Sequence, residues 1–259
     1  MRRRQRVCVL TAYNSRMQAV AAFTVPRMHA FAQTQGYEVR AISAEDWQRQ
    51  RGWIKIEAVL AALDDDFDFI LWVDIDALIV RRDVDVRAAA VDGADLHMVW
   101  HAPRTSVLQG FDLEPQYNSG VMLIRVADWS RSFFRQVWDV GQIDHPWTDQ
   151  ATILHLLGYD NILLLGPERP EEPNRRRVAR LDPIWNAVPG IAMAPDPIIH
   201  HYAGIEDPMT RLRLMEVDAR TLAFRETASP EVRRSFSWQL SLWRQDAVGL
   251  RPPSLGAFP

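Results

Sequence analysis

Phe69-Ile70-Leu71-Trp72-Val73-Asp74-Ile75-Asp76-Ala77-Leu78-Ile79-Val80 is the stretch from which the fold of this chain is read. Phe69 to Val73 form an unbroken apolar run, long enough for a strand and too short for a helix. A run apolar on both faces marks a central strand of a sheet covered on both sides. Two carboxylates follow where such a strand surfaces. Along extended backbone Asp74 and Asp76 project to one side, while Ile75 turns back towards the core. Ligands of open α/β sheets gather at the carboxyl ends of strands. Two neighbouring carboxylates repel unless a positive charge lies between them, and a hard divalent cation holding phosphate oxygens supplies one.

Asp-x-Asp alone is a weak signal, because the spacing recurs at Asp64/Asp66, Asp66/Asp68 and Asp83/Asp85. Those three pairs lie in polar turns on either side of the strand. Only Asp74/Asp76 closes an apolar run. Read without further context, it is also what a solvated acidic strand end looks like.

The 259 residues suffice for one large α/β domain or two small ones, and 47% hydrophobic residues suffice for a full core. A net charge of −3 gives no global reason to bind nucleic acid or an anionic membrane. Cys8 is the single cysteine and sits in an apolar run, so it reads as a buried thiol. No apolar segment approaches the ~20 residues that span a bilayer. The basic start Arg2-Arg3-Arg4-Gln5-Arg6 runs straight into a strand without a cleavable signal pattern. The expectation is a soluble, cytoplasmic protein, with peripheral membrane contact through that basic start left open. Lys55 is the only lysine beside 29 arginines, which makes its position worth asking about. Ten Trp is a high count; some could stack on sugar faces, though core packing accounts for most.

Along the chain, Arg6 to Ala12 reads as a strand, and residues 16–35 as a helix with a start or kink at Pro26 and a stop at Gly36. Tyr37 to Ile42 is a second strand, and Trp53 to Leu63 has helical spacing. After the central strand come strands at Leu96 to Trp100 and Tyr117 to Arg125, with a loop from His101 to Pro115 between them. Helices are predicted from Asp128 to Val140 and from Thr148 to Leu157, with Thr148 as N-cap. A short strand is predicted at Ile162 to Leu165, a mobile loop at Gly166 to Arg177, and a strand at Pro197 to Tyr202. The chain turns helical again from Pro208, and residues 250–259 read as a frayed tail. Strand–helix alternation argues an α/β fold with a mixed, mostly parallel sheet.

The first glycine is Gly36, so no glycine-rich turn follows the first strand, which excludes dinucleotide-binding and P-loop folds. A nucleotide would instead meet Thr11, Tyr13 and Asn14, although Tyr13 is equally explained as a half-buried aromatic at a strand end.

Four pieces together resemble a retaining GT-A glycosyltransferase: Trp53-Ile54-Lys55, Trp72-Val73-Asp74-Ile75-Asp76-Ala77, Asn118-Ser119-Gly120-Val121 and His201-Tyr202-Ala203-Gly204. They are most similar to the family of galactomannan galactosyltransferases, xyloglucan xylosyltransferases and fungal mannosyltransferases, and more distantly to glycogenin-like enzymes. Asp149-Gln150 and Trp185-Asn186 also resemble short family patterns. The glycogenin-like family continues its His-aromatic-x-Gly with Lys-Pro-Trp. Here Ile205-Glu206-Asp207-Pro208 stands instead, leaving that lysine's phosphate contact unfilled. The resemblance runs from about residue 6 to about 215 and implies one GT-A-like domain over 1–259, with 216–259 a helical extension and tail.

The resemblance implies transfer of a sugar from a nucleoside diphosphate, expected to be UDP, to a carbohydrate or other hydroxyl acceptor. It also implies Mn²⁺, or another divalent ion such as Mg²⁺, on Asp74, Asp76 and His201. His200 and His201 are consecutive on a strand and face opposite ways, so only one can reach a metal; the motif selects His201. Lys55 is implied to contact the donor, where a solvated helix lysine is the plainer reading. Asn118 and Ser119 are implied to bind sugar hydroxyls, and Gly204 to let backbone approach the diphosphate. Asp149 and Gln150 are implied to stabilise or position the reacting centre, against the plainer reading of a helix start. A glycogenin-like enzyme and a catalytically idle sugar-nucleotide binder remain alternatives.

Overall fold

A computed structural model describes residues 3–43, 53–101, 115–205 and 207–227. The tail predicted at 250–259 and most of the loop between Leu96–His101 and Gln116–Arg125 lie outside them. Six strands form the main sheet: β1 (Val7–Tyr13), β2 (Glu38–Ser43), β3 (Phe69–Val73), β5 (Leu96–His101), β6 (Gln116–Arg125) and β7 (Val178–Leu181), in the order β2-β1-β3-β6-β5-β7. β1 pairs parallel with β2 and β3, and β5 parallel with β7, whereas β6 is antiparallel to both neighbours. β6 alone therefore runs against the other five, and the sheet is mixed and mostly parallel as predicted. β3 is buried along its whole length, as its uninterrupted apolar sequence requires.

Helices cover both faces. α2 (Trp53–Leu63), α3 (Asp128–Val140) and α4 (Thr148–Leu156) enclose one core with Ile70, Trp72 and Phe133. α1 (Gln18–Gln35) packs on the other face, where Met28 and Phe31 meet Leu71 and Val73. It runs through Pro26 without interruption and ends at Gly36, whose φ of 68° supplies the left-handed turn. A smaller antiparallel pair, β4 (Ala77–Ile79) and β8 (Ile199–His201), is buttressed by α5 (Pro208–Thr227). Among the described residues no helix is long and apolar enough to cross a membrane.

Three local expectations need correction. Ile162 to Leu165 is a turn, because Leu164 and Leu165 donate to the carbonyls of Asn161 and Asp160 and the segment finds no strand partner. Thr148 does not cap α4. Its φ is 46°, and its hydroxyl donates sideways to Asp149 Oδ1 at 3.0 Å. The Gly166 to Arg177 loop is fastened down: Arg169 Nε donates to Asp160 Oδ2 at 2.7 Å, and Arg175 lies over the Tyr159 ring at 4.0 Å.

Candidate active site

The chain leaves β3 at Val73 and turns sharply through Asp74-Ile75-Asp76, with Ala77 N–H donating to the Asp74 carbonyl at 2.9 Å. This turn, rather than strand alternation, aims both carboxylates at one cavity while Ile75 packs inward. β4 then pairs with β8, Ala77 opposite His201, which carries that histidine to Asp76. His201 Nε2 lies 3.5 Å from Asp76 Oδ1 and 3.8 Å from Asp74 Oδ2. His200 faces the other way and donates from Nδ1 to the buried Asp218 at 2.9 Å.

Which nitrogen of His201 carries the proton follows from a backbone amide. Gly120 N–H can only donate, and it donates to Asn118 Oδ1 at 2.8 Å. That oxygen also accepts from Asn186 Nδ2 at 2.9 Å, which turns Asn186 Oδ1 towards His201 Nδ1, 2.9 Å away. An amide oxygen only accepts, so Nδ1 holds a hydrogen, and in the neutral ring Nε2 is the lone pair that faces the two carboxylates. In that form three lone-pair donors converge. Asp74, Asp76 and His201 each offer an atom within 4.8 Å of the others. Mixed oxygen and imidazole donors at this spacing fit a divalent cation such as Mn²⁺.

A β-bulge supplies the neighbouring groups. β5 and β6 lose register between Met98 and Val99, so Ser119, Gly120 and Val121 are left without β5 partners. Freed from that ladder, Ser119 N–H donates to Gln150 Oε1 at 3.0 Å, and the Gly120 carbonyl accepts from Asp74 N–H at 2.8 Å. Lys55, projecting from α2, is buried among them: Nζ lies 2.9 Å from Asp149 Oδ2, 3.1 Å from Asp74 Oδ1 and 3.1 Å from Ser119 Oγ. Burial works against the ammonium charge, but Asp149 and Asp74 outweigh it and hold the group above its ordinary range. For Asp74, burial prevails over Lys55 and pushes the carboxyl up. Burial pushes Asp76 the same way, but His201, where its ring is protonated, and Arg211 prevail and hold it low. Arg211 Nη1, from α5, donates to Asp76 Oδ2 at 2.9 Å.

The cavity has a volume of about 630 Å³. It brings together Lys55, Asp74, Asp76, Asn118, Ser119, Asp149, Gln150, His201 and Gly204 from the sequence reading. Thr11, Tyr13 and Asn14 do not line it. Thr11 is fully buried in β1, Tyr13 packs against the cluster around Tyr202, and Asn14 accepts from Arg16 N–H at the next turn. Sequence reasoning missed Arg211, His101 and Gln116, which come from distant segments and carry no motif. Asn186 was noticed as a pattern, but not as the group that sets the His201 tautomer.

No family model matches the sequence, and no curated protein matches it either. Solved structures do match in fold. A glycosyltransferase involved in glycosylation of the major capsid of PBCV-1 superposes with a TM-score of 0.60 at 17% identity, over 82% of this chain and 99% of that one. The bifunctional glycosyltransferase WbbM gives 0.55 at 11% identity, over 95% of this chain and 52% of that one. The glycosyltransferase GlyE of Streptococcus pneumoniae TIGR4 gives 0.50 at 14% identity, over 98% of this chain and 67% of that one. The fold is that of the GT-A glycosyltransferases. Identities this low speak for the fold, and the site must speak for the chemistry.

Proposed function

We propose that this chain is a glycosyltransferase that moves a hexose or pentose from a nucleoside diphosphate, expected to be UDP, to a hydroxyl acceptor with retention at the anomeric carbon. The observation that carries this reading is the convergence of His201 Nε2 on the Asp74 and Asp76 carboxylates in the same cavity as the Lys55–Asp149 pair. Asp74, Asp76 and His201 would hold Mn²⁺ or Mg²⁺, which when bound supplies Lewis-acid stabilisation of the charge growing on the leaving phosphate.

In the reaction the bond from the anomeric carbon to the diphosphate oxygen breaks, and a bond to the acceptor oxygen forms on the same face. The acceptor's proton leaves with the diphosphate. Asp149, fixed by Lys55, Ser119 and Thr148, sets a negative charge beside the cationic sugar ring of the transition state. Gln150 is tethered through Oε1 to Ser119 N–H, which orients its amide N–H groups as donors for a substrate oxygen. Val188 and Ile191 border the cavity and limit the access of water to that cation. Within GT-A enzymes, Ile205 to Pro208 in place of Lys-Pro-Trp favours the galactomannan galactosyltransferase, xyloglucan xylosyltransferase and fungal mannosyltransferase family over the glycogenin-like one.

The test is a panel of nucleotide sugars with purified protein and Mn²⁺, following slow release of sugar to water. Release from at least one donor, abolished by a chelator and by Asp74→Asn or Asp76→Asn, is the expected result. UDP binding without turnover of any donor would mark an idle binder, and neither binding nor turnover would overturn the reading outright.

A further inference from the structure

One side-chain oxygen on the cavity wall is buried without a hydrogen-bond partner among the described residues. Gln116 is 8% exposed, and its Oε1 accepts no hydrogen bond among the described residues. A buried amide oxygen left bare keeps the cost of its lost hydration, so its retention at a cavity wall points to an outside donor. Gln116 is the register partner of His101 across β5 and β6, which sets both side chains on one face. Both line the cavity.

His101 presents the same chemistry. Its Nε2 lies 2.7 Å from the Asn186 carbonyl oxygen, which can only accept, so Nε2 carries the hydrogen. Burial pushes the ring down to about 4, which keeps it neutral near pH 7. Nδ1 is then a bare acceptor without a protein partner among the described residues. Two acceptors thus share one wall of the cavity, and no group donating to either is found among the described residues. The next residue on that face, Asn118, has its oxygen taken by Gly120 and Asn186, and no hydrogen bond from its amide N–H groups to Gln116 or His101 is found among the described residues.

We propose that Gln116 Oε1 and His101 Nδ1 form a subsite that reads two neighbouring hydroxyls of a sugar ring. A vicinal diol offers two O–H donors at the spacing of two adjacent acceptors. The subsite lies two residues along β6 from Asn118, about 7 Å at strand spacing, and is joined to His201 through Asn186, which accepts from both histidines. It therefore serves a ring held next to the diphosphate, whether the sugar being transferred or the acceptor. The inference rests on the transferase reading and adds a specificity-determining pair to it.

Gln116→Leu removes the acceptor at nearly constant volume. Calorimetry with UDP and Mn²⁺ should give the parent's affinity, because the diphosphate groups are untouched. The melting temperature should equal or exceed the parent's, because an unsatisfied buried oxygen has gone. If the donor sugar is read, the affinity for the preferred UDP-sugar falls about 3- to 10-fold while that for UDP holds. If the acceptor is read, UDP-sugar affinity holds, and saturation-transfer NMR with UDP, Mn²⁺ and methyl glycosides loses the signal that the parent shows. The deoxy glycoside lacking the hydroxyl that is read should fail with the parent too. A parent that binds UDP, beside a variant unchanged in both arms, overturns the subsite alone. A parent that takes up neither UDP nor any glycoside overturns the transferase reading and the subsite with it.

Discussion

Gly120 and His201 are fitted so closely that a Cβ on Gly120 would lie 2.5 Å from His201 Nδ1 and closer still to Cε1. The same residue's N–H fixes, through Asn118 and Asn186, the tautomer of that ring. A position in the sheet thus sets both where the imidazole stands and which nitrogen is bare. Gly120→Ala should displace the ring and cost about 1–3 kcal/mol of stability, the range for overpacking a filled interior. It should also abolish the Mn²⁺-dependent gain in UDP affinity. Calorimetry with and without Mn²⁺, alongside urea denaturation, checks both; an unchanged metal-dependent gain would show that His201 is not a ligand.

Lys55 is a different kind of dependency. Its ammonium sits between two carboxylates, with side-chain exposures of 7% for Lys55 and 7% for Asp149. Lys55→Met leaves those charges buried without a partner, which typically costs about 3–5 kcal/mol. Lys55→Arg should recover only part, because a planar fork cannot occupy the same point between three acceptors. Equilibrium denaturation of the three proteins decides it. A loss below about 0.5 kcal/mol in Lys55→Met would mean that the cluster is open to water.

Much of this was legible in the sequence, and the reason is local. β3 declares itself through five consecutive apolar residues, and α2 and α3 through their periodicity. The opposed faces of His200 and His201 follow from strand geometry alone. What was not legible depends on partners far away in the chain. The turn at Asp74 to Asp76 is set by pairing with β8, more than a hundred residues later. Arg211 is 135 residues from Asp76, and nothing local distinguishes it among 29 arginines. Thr148 looked like an N-cap because the pattern of a helix start cannot show that its hydroxyl is drawn to Asp149 instead.

His101 gives the protein a pH dependence of definite sign. Burial lowers the ring from 6.5 to about 4, so between those values the unfolded chain binds a proton that the folded one does not. Its contribution is fully present above pH 6.5 and is lost as pH falls towards 4, about 3 kcal/mol in all. His97, also lowered by burial, acts in the same direction. His101→Gln keeps a donor for the Asn186 carbonyl without titrating, so its stability should fall less between pH 7 and pH 4.5. Parallel urea titrations at the two pH values test this, and parallel slopes for parent and variant would place the proton uptake elsewhere.

The last prediction concerns Arg211, where two effects have opposite signs. By pairing with Asp76 it competes for a carboxylate that a cation would need. It also fixes how that carboxylate is turned: Oδ2 faces Arg211, while Oδ1 faces His201 Nε2. The competing part is small, because a single Nη1 contact on a partly exposed guanidinium contributes about 1 kcal/mol or less. The orienting part is larger, since groups that hold a metal ligand in place commonly change affinity by roughly 10- to 100-fold. Orientation should therefore win. Arg211→Met should weaken Mn²⁺ binding in the absence of nucleotide by roughly tenfold, and Arg211→Lys should restore part of it through one charged contact. Electron paramagnetic resonance of free Mn²⁺ gives the affinity directly, without relying on turnover. A melting curve close to the parent's would show that α5 remains docked through Asp218, which binds His200 and Tyr202. Tighter Mn²⁺ binding by Arg211→Met would reverse the assignment and make Arg211 a competitor that the metal displaces.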